Sequence, residues 1–125
     1  MNLGVVGQSV ERISIDYAIT LLTDGGAEVR IETTFSIRLP GRDVAVVEPE
    51  HLVGGSAWLA AVLHEMITEA SVSEKTGTLM LGFANGTRLE VVAHESYEAW
   101  TYAGSDGSKV VAVAGGGASS WSPEP

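Results

Sequence analysis

Three histidines in the 125-residue chain each stand beside a glutamate: Glu50-His51, His64-Glu65 and His94-Glu95. Imidazole and carboxylate together can hold a metal ion or move a proton. Neighbours on a strand or helix point apart, however, so adjacency in sequence makes no dyad. His64-Glu65 opens like a zincin helix, but Thr68 occupies the position where a second histidine is required. What is left of a metal reading is a site assembled in space from His51, His64 and His94. Gly54-Gly55-Ser56-Ala57-Trp58 lacks the closing glycine of a nucleophile elbow. Gly115-Gly116-Gly117-Ala118-Ser119 is followed by neither a lysine nor a helix, so phosphate-loop logic fails and the run reads as a β-corner. Asp16 beside Tyr17 and Glu98 beside Tyr97 read as solvated charges on wet strand faces. Asn85-Gly86-Thr87 reads as a turn rather than a glycosylation acceptor. With no cysteine, a disulfide framework, a thiolate zinc site and a cysteine nucleophile are all excluded. The expectation is a non-enzymatic protein with no catalytic residue, no metal and no cofactor.

Charge narrows the partners. Sixteen acidic and seven basic residues give a net charge of −9, which disfavours nucleic acid and anionic membrane surfaces. The apolar run near Ala57 to Ile67 is interrupted by His64 and Glu65 and is too short to span a bilayer. Met1 to Gln8 has no basic region followed by a long apolar run, so a cytoplasmic location is expected.

The elements that would position any site are mostly strands. Val10 to Leu22 alternates, with Ile13, Ile15, Tyr17, Ile19 and Leu21 on one side, as in a half-buried strand. Asp24-Gly25 supplies a hairpin turn, and Ala27 to Leu39 alternates again. Val44 to Val47 adds a short strand after the Pro40-Gly41 turn. Ser56 is placed to cap a helix in which Leu59, Val62, Leu63, Met66, Ile67 and Ala70 recur at helical spacing. Asn85-Gly86 joins strands at Thr78 to Phe83 and Thr87 to Ala93. The stretches Thr20 to Glu32 and Met80 to Val92 look alike when Asp24 is aligned with Asn85 and one extra glycine is allowed. That likeness is either an internal duplication or two hairpins of one design. The last unit pairs Tyr97 to Ala103 with Lys109 to Ala114 around Ser105-Asp106-Gly107, followed by an edge strand at Ala118 to Trp121.

The expected architecture is a single α+β domain over residues 1–125: a strongly bent antiparallel sheet or partial barrel of about seven or eight strands, with one amphipathic helix packed on it. Its parts are an N-terminal hairpin at 10–39, a helix at about 56–70, hairpins at 78–121 and a tail at 122–125.

Aromatic residues mark the candidate contact surface. Tyr97, Ala99 and Thr101 share one strand face, and Trp100 and Tyr102 share the other, so one set fills the core and the other lies outside. Tyr97, Trp100, Tyr102 and Trp121 are therefore the candidate interface residues, since exposed aromatics anchor protein contacts. Tyr97-Glu98-Ala99-Trp100, the turn at Gly107, the Gly115-Gly116 corner and Trp121 together resemble the C-terminal signature of a family of small uncharacterised bacterial domains, mainly actinobacterial. The resemblance covers most of the chain. It implies a fold and a bacterial origin, brings no activity or cofactor, and links some similar domains to toxin systems as immunity proteins. The first functional expectation is thus a protein-interaction module, either an acidic immunity-type protein on a basic toxin or a homodimer through an edge strand or the Tyr97–Tyr102 face. The second is a small-molecule pocket between helix and sheet, lined by Trp58 and Trp100.

Overall fold

The computed structural model describes residues 1–50 and 56–121, without the side chains of Ser56, Ala57 and Leu59. His51, the capping role of Ser56, the Gly54-Gly55 pair and the tail 122–125 therefore lie outside the described residues. Among the described residues eleven strands form two antiparallel sheets. They are β1 (Val10–Ile15), β2 (Ile19–Thr23), β3 (Glu28–Ile31), β4 (Phe35–Arg38), β5 (Val44–Val47), β6 (Ile67–Val72), β7 (Leu79–Phe83), β8 (Arg88–Val91), β9 (Trp100–Ala103), β10 (Lys109–Ala112) and β11 (Ala118–Trp121). One sheet runs β1-β2-β3-β9-β10-β11 and the other β5-β4-β8-β7-β6. Among the described residues the one helix is α1 (Ser56–Val62), of seven residues.

The α+β expectation is therefore overturned. The molecule is nearly all β, and its strands form two separate sheets rather than one bent sheet or partial barrel. The long helix at 56–70 fails for an identifiable reason. Helix α1 stops at Val62, His64 turns through the left-handed region at φ 67°, and the chain enters β6. There Ile67 and Ala70 both point inward although they are three residues apart, because a bulge inserts Thr68 between the pairs Ile67–Phe83 and Glu69–Gly82. A bulged strand thus imitates helical spacing. Two long strands also resolve into pairs. The 10–22 run breaks at Asp16, whose carboxylate accepts the Ala18 N–H at 2.7 Å and closes a local turn. The 27–39 run crosses from one sheet to the other between β3 and β4.

One apolar core lies between the sheets. The six-stranded sheet contributes Ile19, Leu21, Val29, Ile31, Trp100 and Tyr102; the other contributes Phe35, Ile37, Leu79, Leu81, Leu89 and Val91. Ile37, Leu89, Leu81 and Ala70 stand opposite one another across four strands, a continuous inward row.

The pairing repeats itself about a pseudo-two-fold axis. β1-β2-β3 crossing to β4-β5 matches β6-β7-β8 crossing to β9-β10, so that β3–β9 and β4–β8 are equivalent contacts. Val10 corresponds to Ile67, Val29 to Leu89, Phe35 to Trp100 and Val44 to Lys109. Both first strands carry their bulge at the same place, after Val10 and after Ile67. The equivalent residues Ser9 and Met66 bridge each other at the axis. Around them Val10 N–H donates to the Glu65 carbonyl (3.1 Å) and Ile67 N–H to the Gln8 carbonyl (2.8 Å). In the same way His64 N–H donates to Val10 (2.7 Å) and Gly7 N–H to Ile67 (2.8 Å), and both donors have positive φ. The likeness of the two hairpins is a structural duplication, with Gly25 rather than Asp24 opposite Asn85 and no extra glycine.

Candidate interaction groove

An open groove of about 860 Å³ runs along the outer face of the six-stranded sheet and around one end of it. Its aromatic walls are Tyr17, Tyr97 and Trp121; Glu32, Glu50 and Glu98 supply carboxylates, and no basic residue lines it. Each aromatic is held out by local structure. The Asp16 turn between β1 and β2 leaves Tyr17 83% exposed. Tyr97 stacks on His94 with ring centroids 3.9 Å apart, and His94 is itself fixed, its Nδ1 accepting the Ser96 N–H at 3.0 Å and its carbonyl accepting the Gly115 N–H at 2.8 Å. The positive φ of Gly115, Gly116 and Gly117 turns β10 into β11, which carries Trp121 out to 55% exposure. Glu32 follows β3 and lies 3.7 Å from the Arg30 guanidinium, which also reaches Asp16 at 3.8 Å. A cation entering the groove would meet ring faces and carboxylates together.

Of the four expected interface residues, the structure brings Tyr97 and Trp121 into the groove and removes the other two. Trp100 is fully buried, its Nε1 donating to the Gly77 carbonyl at 2.8 Å, and Tyr102 is buried beside it on the inner face. The inward face of β9 is thus the Trp100–Tyr102 face. Trp58 is also buried, meeting Phe35 edge-on at 5.6 Å. Core side chains thus occupy the space between helix and sheet where Trp58 and Trp100 were expected to line a pocket, and the groove lies elsewhere. Tyr17 and the carboxylates of Glu32 and Glu50 escaped the sequence reading. The signal for Tyr17 was Asp16, a residue whose side chain readily closes a turn on its own backbone.

The histidines do not converge in what is described. His64 lies in the turn after α1, and His94 is stacked on Tyr97. Among the described residues no cluster of three or more His, Asp or Glu side chains is arranged to hold a metal ion, and no helix is long and apolar enough to cross a membrane.

Fold and groove define a two-sheet antiparallel β protein with an exposed groove lined by aromatic and acidic residues. A family model matches residues 1–122, and the chain belongs to that family, the family of unknown function DUF6188. No curated protein and no solved structure matches it.

Proposed function

We propose that the chain is a non-enzymatic protein-interaction module whose groove receives Lys or Arg side chains of a basic partner protein. The observation that supports it is the convergence of Tyr17, Tyr97 and Trp121 with Glu32, Glu50 and Glu98 in a groove that has no basic lining residue. A net charge of −9 works in the same direction, steering cationic surfaces toward the molecule. An immunity-type protein that occludes a basic toxin surface, in the cytoplasm of a bacterium such as an actinobacterium, is the concrete form of this reading. The small-molecule alternative has lost its expected walls to the core.

Fluorescence offers a direct test, because Trp58 and Trp100 are buried and Trp121 alone of the three tryptophans is exposed. Titration with a short oligo-arginine peptide should change the Trp121 emission saturably. The response should weaken as salt rises. Tyr97→Ala and Glu98→Gln should each weaken binding by roughly two- to fivefold, the scale of one exposed cation–π or charge contact. No saturable change at low salt, or binding indifferent to both substitutions, would overturn the assignment of the groove.

A further inference from the structure

The duplication exposes an asymmetry at the sheet edges. β10 is paired on its outer side by β11, whereas β5, its counterpart in the other half, carries no strand on that side among the described residues. The other edges are managed differently. The outer side of β6 is covered by the N-terminal segment, through the Asn2–Ser71 bridge and the Leu3 N–H bond to Ala70 at 2.9 Å. β1 carries Glu11 and Arg12, and β11 is mostly small and polar, Ala118-Ser119-Ser120. Charges and cover of this kind keep sheet edges from pairing with other chains. β5 has neither. It reads Val44-Ala45-Val46-Val47, and Val44 and Val46 are 57% and 69% exposed.

We infer that β5 pairs antiparallel with β5 of a second copy, extending the two five-stranded sheets into one continuous sheet. The register follows from parity and charge. Residues directly opposite in an antiparallel pair point to the same face, so a two-fold axis perpendicular to the sheet must match even with even and odd with odd. Centring the axis on Ala45 sets Val44 against Val46 of the second copy, twice. It also sets Arg42 against Glu48 of the second copy, again twice, where the chain flanks β5 on either side. Shifting the axis to Val44 sets Val46 against Arg42. Shifting it to Val46 restores a charge pair, Arg42 with Glu50, but sets Val44 against Glu48. Only the Ala45 axis keeps the exposed valines opposite each other and both Arg42 and Glu48 paired. Arg42 and Glu48 are both exposed and unengaged by the ion pairs of the described residues. The occupant is therefore a copy of this chain, selected by complementary charge at both ends of an apolar strand.

Sedimentation equilibrium of the full chain tests this, at concentrations up to the order of 1 mM, where an association of about 4 kcal/mol registers. The expected result is a species of twice the 13.1 kDa chain mass. Val46→Lys should abolish it while leaving the circular dichroism spectrum and melting temperature intact, since the side chain is exposed. Arg42→Glu and Glu48→Arg should each weaken the dimer about tenfold, because two attractive pairs become two repulsive ones. The double variant should restore it. A monomer throughout the range, a dimer that survives Val46→Lys, or a double variant no tighter than the single ones would each overturn the proposal. None of the substituted residues lines the groove, so failure here leaves the groove reading standing, and the converse.

Discussion

Trp100 and Trp58 fill the same core in different electrostatic conditions. Trp100 Nε1 donates to a buried backbone carbonyl, while Trp58 Nε1 is buried with no partner among the described residues. An unmatched buried donor costs about 1–3 kcal/mol, and replacing it with an apolar group recovers that. Trp58→Phe should therefore change stability by less than about 1 kcal/mol, lost packing offsetting relief of the orphaned N–H. Trp100→Phe should cost about 2–4 kcal/mol, since it leaves a void and strands the Gly77 carbonyl. Urea denaturation of the two variants side by side measures the difference, and equal losses would refute the account. The residue scale also explains one error of sequence reading. Trp100 and Tyr97 are equally aromatic and three positions apart, and period-two alternation says they face opposite ways without saying which way is in. The covering sheet decides that, and it is distant in sequence.

At the scale of elements, the turns sort into those that require only a backbone angle and those that also require space. Gly7 has φ 93° with nothing within 4 Å of where a Cβ would stand, so Gly7→Ala should cost the left-handed penalty alone, about 1–2 kcal/mol. Gly77 has φ 78°, and a Cβ there would strike the Gly117 carbonyl group of the β10–β11 turn. Gly77→Ala should cost more than Gly7→Ala, about 3 kcal/mol or above. His64 occupies the position equivalent to Gly7, so His64→Gly should be neutral or stabilising by up to about 1 kcal/mol. Thermal melts of the three variants check this order. The same turns mark how far the sequence could be read. Asp24-Gly25 and Asn85-Gly86 lie in the turns that join β2 to β3 and β7 to β8, where the positive φ falls at Gly26 and at Gly86, because turn-forming residues between β-rich runs leave few alternatives. The break at His64 was not legible, since Leu63-His64-Glu65-Met66 suits a helix well. Only the pairing of His64 and Glu65 with Val10 from the other half overrides that preference. The 27–39 run was misread for a related reason: alternation continues through the crossing from β3 to β4, because both sheets bury the same core.

At the scale of the whole molecule, the repeat places each half in both layers: β1–β3 and β9–β11 complete one sheet, β4–β5 and β6–β8 the other. Neither half has a closed layer of its own, so the two should unfold together. Circular dichroism and tryptophan fluorescence should give coincident single transitions in urea, and separated midpoints would show independently stable halves. The groove draws its residues from the turn after β1, the ends of β3 and β5, and the β9–β11 region, so no local motif could announce it. The bridge between Ser9 and Met66 has a genealogical meaning as well. A half-length ancestor would have met its own copy at that point, each chain lending strands to both layers. In those terms the molecule has the connectivity of a two-fold dimer of half-length chains carried on one polypeptide.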